Sequence, residues 1–228
     1  MFKKAIFDSY LEKYRRSLIP PANPNLVLWH ETLANFKDQW DIETLDFKSM
    51  YDRSLKSKIN TSLWKGDDYH PKEVVMEFID YDKEIARTIF RDLLDERREV
   101  SGRMERFVFY CDQLLKETQA RGSKFYGHYH NGYFMVSLYL TYVYPEKYTL
   151  YDYTVFSVAM QSMGTASPPR SHELDRYFKI TKIVKKFLCN DEDLVESYDA
   201  LTQKYAYDPG IHPFLAFDFL TFVAKNPF

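Results

Sequence analysis

Cysteine is scarce in this 228-residue chain. Only Cys111 and Cys189 occur, far apart, and neither has a second Cys or a His at metal-ligand spacing to complete a zinc site. Both therefore read as reduced core thiols. Long apolar runs are missing too: the most apolar stretch, residues 133–143, falls well short of the roughly 18 to 20 residues that cross a bilayer. The opening MFKKAIFDSYLEKYRRSL carries charge throughout and has no apolar core, so it is no signal peptide. A cytoplasmic protein outside the membrane is the expectation. Excess charge of either sign is absent, with 31 Lys and Arg against 33 Asp and Glu giving a net −2. No global positive field draws the chain onto nucleic acid or anionic lipid, so any polyanion site must be a local patch. The sequences G-x-x-x-x-G-K-[ST], G-x-G-x-x-G, G-x-S-x-G, H-E-x-x-H and C-x-x-C are all absent. The common routes to nucleotide, acyl or metal chemistry thus lack their signatures. No strand-rich α/β pattern offers a switch-point site either, so neither catalysis nor a cofactor or metal of its own is expected here.

Aromatic residues are plentiful instead: 19 Tyr, 18 Phe and 3 Trp, within a hydrophobic fraction of 45%. Such a chain has ample apolar surface to offset its conformational entropy, and it should fold. The periodicity is helical almost throughout. Apolar residues recur at threes and fours over 2–18, ended by Pro20, Pro21 and Pro24; over 26–40; and, after an Asp46 cap, over a short helix with Phe47, Met50, Tyr51 and Leu55. Trp29, Trp40 and Trp64 read as core or seam packing, with an aromatic cage as the alternative. Pro71 opens a fourth helix, and Asp82 caps the longest periodic segment, Ile85 through Leu115. One helix of up to ~38 residues would be roughly 57 Å long, with a kink or break at Ser101-Gly102. The charge run 92–99 reads as its solvated face. Residues 133–144 are apolar all round, which suits a buried strand or a helix covered on every side. Helix is preferred because a lone strand would have no ladder partner. Pro145 ends it in the tyrosine-rich joint YVYPEKYTLYDYTVF (142–156), where Asp152 caps the next helix. Further helices follow over 171–188, after an Asp191 cap, and after Pro209-Gly210 and Pro213. The fold class is all-α: a multi-helix globular domain spanning 1–228, with one long central helix, a buried helix before the joint, and a possible sub-division near 118–132.

Two stretches carry candidate sites. Residues 118–132 space Gly122, Gly127 and Gly132 among Tyr126, His128, Tyr129 and His130. Two histidines at i,i+2 can share a metal, but no third Asp, Glu, Cys or His lies nearby in sequence, so a wet, specially bent loop is the better reading. Tyr126, Tyr129 and His130 are also shaped for stacking on an extruded base. Beyond them, Arg176, Lys179, Lys182, Lys185 and Lys186 gather on the outer side of the 171–188 helix in the chain's strong basic stripe. It could neutralise several phosphates, or be a solvated face and nothing more.

In order, YHPKEVVMEFIDYDKEIARTIFRDLLDE (69–96), ERFVFYCDQLL (105–115), YVYPEKYTLYDYTVF (142–156) and YAYDPGIHPFLAFDFLTFV (205–223) resemble the N-terminal helical region of McrB-like AAA+ restriction proteins. The Trp40-Asp41 pair belongs to the same series. The resemblance implies a modification-dependent or otherwise specific DNA restriction system in bacteria. Its GTP- or ATP-hydrolysing motor, with Mg, would lie beyond residue 228, and a separate McrC-like nuclease would cut. This domain would then recognise DNA, without catalysis or cofactor, as a monomer when isolated; docking of a phage or nuclease protein is the alternative. The methylcytosine-flipping domain of the best-known member does not visibly match, so base flipping is not carried over.

Overall fold

The computed structural model describes residues 2–18, 24–64, 66, 68–208 and 210–227. The helix-ending role given to Pro20 and Pro21, and the turn given to Pro209, lie outside these. Among the described residues there are eleven helices and no strand, only one isolated bridge between Gly66 and Tyr69. In chain order they are α1 (Lys4–Ser17), α2 (Pro24–Gln39), α3 (Phe47–Ser54), α4 (Pro71–Tyr81), α5 (Lys83–Leu93), α6 (Val100–Ala120), α7 (Phe134–Val143), α8 (Tyr153–Ser162), α9 (Leu174–Leu188), α10 (Glu192–Thr202) and α11 (Leu215–Lys225).

Four aspartates start helices by accepting the amide hydrogens that no helical carbonyl can reach. Asp46 accepts from Ser49, Asp82 from Glu84 and Ile85, Asp152 from Val155, and Asp191 from Leu194, at 2.9–3.1 Å. Gly122, left-handed at φ +95, ends α6; its amide and that of Ser123 return to the carbonyls of Gln119 and Thr118. Pro24 begins α2, where its fixed φ suits a first turn, instead of closing the connector before it.

The longest periodic segment is two helices. The chain leaves helix at Leu94 and re-enters at Val100, so the break falls before Ser101-Gly102, which sit inside the first turn of α6. Its cause is the charge run, which is a folded turn and not a helical face. Arg98 and Arg106 both reach Asp92, at 2.8 and 2.7 Å, and Arg97 chelates Asp95. Glu96 is drawn inward by Tyr148, Lys147 and Arg103. Arg103 is almost wholly buried, donating to the Leu93 carbonyl at 2.7 Å and to the Tyr148 hydroxyl at 2.6 Å. Tyr144 adds a hydrogen bond to the Leu94 carbonyl, so the α5–α6 turn is tied at three points to residues 144–148, around Pro145.

One core cluster runs from Phe7 to Val223, on both sides of residues 118–132. At its centre α7 has eight of its ten residues buried. Its polar atoms are satisfied by neighbours: Tyr139 meets the Tyr51 hydroxyl at 2.8 Å, Tyr142 meets Thr32, and the Ser137 hydroxyl accepts the Tyr151 amide. Trp29 and Trp64 do meet, at 5.9 Å, but in a tilted packing contact with Phe134 behind Trp29, while Trp40 stacks on Phe36. No helix among the described residues is long and apolar enough to cross a membrane.

Candidate nucleic-acid interface

Helix α9 turns Leu174, Tyr177, Phe178, Thr181, Val184 and Leu188 into the core. With 3.6 residues per turn, that fixes which cations face water. Arg176, Lys179, Lys182 and Lys186 are exposed and form a row roughly 15 Å long at 1.5 Å per residue. Lys185 is not part of it. It lies on the flank of the inward face, half-buried, and burial lowers its pKa, with Lys182 adding a smaller push the same way. The row is not purely basic. Arg176 pairs with Glu173 at 3.2 Å, and Asp175 is exposed beside it. Ile183 and Phe187, each more than a third exposed, lie along its edge, Phe187 packed against Phe2 and Phe7, and Ile180 and Ile183 form with Phe2, Met160, Arg176 and Lys179 a groove of ≈ 430 Å³.

The aromatic half of the expected site divides. Tyr126 is 96% exposed and free to stack. Tyr129 takes a left-handed backbone, φ 62, and sets its ring edge-on to Tyr69 at 5.4 Å, with His70 close by. His130 cannot meet a base in this arrangement: it is fully buried, stacked on Tyr139 and tilted against Phe107. Among the described residues no ring contact or hydrogen bond joins Tyr126 or Tyr129 to α9.

The reason His130 is buried is a polar network that spacing alone conceals. Asp112 on α6 accepts from Nε2 of His128 at 3.1 Å, and Nδ1 of His128 accepts the His130 amide at 3.1 Å. Nδ1 of His130 bonds the His128 carbonyl, and its Nε2 lies 3.2 Å from the Tyr139 hydroxyl. Burial, reinforced by His128, lowers the His130 pKa to about 3, and burial also lowers that of His128 against the pull of Asp112. Both rings are neutral at ordinary pH. The third residue that the histidine pair lacked in sequence is Cys111, seventeen positions before His128 and buried beside the pair. Its signal was the inward register of α6, which carries Met104, Phe107, Cys111 and Leu114 on one side.

Cys189 departs from its expected place in the core. It follows Leu188, the last inward residue of α9, and is exposed. Its sulfur lies 3.9 Å from Nδ1 of His212, whose Nε2 meets Asp199 at 2.8 Å. The order Cys, His, Asp resembles a nucleophile and its base, but partial burial raises the thiol pKa, Lys185 opposing and Asp199 reinforcing it. The group is a thiol at neutral pH, and the nucleophile is the thiolate.

Compared with protein-family models, with curated proteins and with solved structures, the chain has no match.

Proposed function

We propose that this chain is the DNA-target recognition module of an McrB-like restriction complex, non-catalytic by itself, with the hydrolysing motor and the McrC-like nuclease supplied by other parts of the assembly. The observation that carries the reading is the exposed row of Arg176, Lys179, Lys182 and Lys186 on one face of α9. Four cations over that length can follow a phosphate backbone, while the net charge of −2 keeps the rest of the surface from binding it indiscriminately. Each phosphate neutralised adds about 0.9 to the slope of log affinity against log salt, so four give a slope near −3.6 and a roughly 100-fold loss between 50 and 200 mM salt. Tyr126 is the side chain that could stack on a splayed base.

The test is fluorescence anisotropy on methylated and unmethylated duplexes over a salt series. Lys182→Glu with Lys186→Glu should weaken binding and flatten the salt slope by about 2. Unchanged affinity and slope would remove α9 from the interface.

A second reading, docking of a phage or nuclease protein, is favoured by the exposed Ile183 and Phe187 along the edge of the row. Exposed apolar side chains bordered by charged ones are a common feature of protein interfaces. Absence of DNA affinity, together with capture of a protein partner that Ile183→Asp abolishes, would decide for it.

A further inference from the structure

Helix α6 and the loop after it bring together Cys111, His128 and His130, each presenting one ligand atom within 4.8 Å of the other two. We propose that these three residues bind a zinc ion, with the Asp112 carboxylate holding His128 from behind.

Four observations support it. The first is the donor set: a thiolate and two imidazoles suit zinc in softness and preferred number, leaving one tetrahedral position for an oxygen. The second is how the rings are held. Metal-binding histidines give their other nitrogen to a carboxylate or a backbone carbonyl, which fixes the tautomer. Here Nε2 of His128 faces Asp112 and Nδ1 of His130 faces the His128 carbonyl, so Nδ1 of His128 and Nε2 of His130 are the nitrogens left for a metal. Zinc there displaces the His130 amide from one and the Tyr139 hydroxyl from the other, and Tyr139 keeps Tyr51 as its partner. The third is charge. Zinc, one thiolate and the Asp112 carboxylate sum to zero, which a buried site requires. The fourth is the backbone. Tyr129 holds a left-handed conformation that β-carbons disfavour, and the bend sets the residues on either side of it toward α6.

Tetrahedral bonds of about 2.0–2.3 Å place ligand atoms roughly 3.3–3.7 Å apart, so closing on zinc takes side-chain shifts on the order of 1 Å. The histidines are already neutral. Binding replaces the Cys111 thiol proton, which passes to solvent.

The experiment is to unfold the protein in denaturant with a chelator, refold it with or without zinc, desalt it and count the metal. Cobalt loading supplies the spectrum. One zinc per chain is expected, with a raised melting temperature. Cobalt should give a thiolate charge-transfer band and the intense visible bands of tetrahedral coordination. Cys111→Ser should lose both while keeping its far-ultraviolet circular dichroism, Cys189→Ser should lose neither, and Asp112→Asn should bind zinc 10- to 100-fold more weakly. If Cys111→Ser fails to fold, His128→Gln replaces it. Less than one zinc per folded chain in excess metal, uptake that Cys111→Ser leaves unchanged, or binding of copper(I) without zinc would each overturn the assignment.

Discussion

Replacing Arg103 by methionine keeps the aliphatic bulk of the side chain and removes its charge and donors. Arg103 is 1% exposed, its guanidinium making two strong bonds, to the Leu93 carbonyl at the end of α5 and to Tyr148, with Glu96 3.6 Å away. Charge-assisted bonds contribute about 1.5–3 kcal/mol each, so the gross loss is roughly 3–6 kcal/mol. Two terms offset part of it. The methionine side chain needs no desolvation of a cation whose Nε has no hydrogen-bond partner, and Glu96 remains paired with Lys147 and partly in water. The net should fall at the low end of what breaking a buried pair costs, about 3 kcal/mol. For a chain of this length that is about 6–12 °C in Tm. Urea unfolding followed by circular dichroism measures it directly. A double-mutant cycle with Tyr148→Phe should show strong coupling, since Tyr148 relays Arg103 to Glu96. A loss below about 1 kcal/mol, or additive single effects, would refute the claim that the α5–α6 turn is held by this relay.

Three other outcomes follow from the geometry. His30, buried against Tyr198 and Phe214, has its pKa lowered to about 4, first by burial and then by His212. The unfolded chain takes up that proton near pH 6.5 and the folded one does not. This contribution to stability is therefore constant above about pH 7, falls by about 1.4 kcal/mol between pH 7.5 and 5.5, and levels off below about pH 4; His30→Gln should flatten that part of a urea-midpoint series, and an unaltered slope would contradict it. Asp152→Ala removes the cap on α8 and should cost about 1 kcal/mol in the same assay, with Asp152→Asn close to wild type. A thiol reagent should label one cysteine, Cys189, in the native chain and two in denaturant, because Cys111 is buried with its pKa raised by desolvation; rapid native labelling of Cys111 would show that the loop over it opens.

Local chemistry was legible wherever one residue decides the outcome. The aspartate caps could be placed from sequence because each acts on amides two or three positions ahead. The helical state of 134–143 followed from the absence of any strand to pair with. What sequence could not show depends on residues far apart in the chain. The apolar period runs unbroken from Ile85 to Leu115, and the helix stops at Leu93 because the charge run 92–99 folds into a turn, anchored by an ion pair to Lys147 and a hydrogen bond to Tyr148 some fifty positions later. Lys185 shares the composition of the α9 stripe but not its face, a matter of one residue in helical phase. The Cys111 and histidine cluster was hidden for the same reason, since helix register and a loop closure, not spacing, bring its members together.

A helix that is sticky on every side also has a place in the order of synthesis. Before it is covered, α7 offers any neighbouring chain an apolar rod without a polar face, the kind of surface on which partly folded proteins associate. Its partners α2 and α6 precede it in the chain, and so does Tyr51 of α3, so a half-built cradle exists when it leaves the ribosome. The covering that comes from α11, where Phe217 meets Phe134, arrives later. The interval between the emergence of residue 143 and that of α11 is the period in which this protein is most exposed to aggregation. Once the fold closes, the amides of α7 should be among the last to exchange with solvent, opening only when the whole domain does.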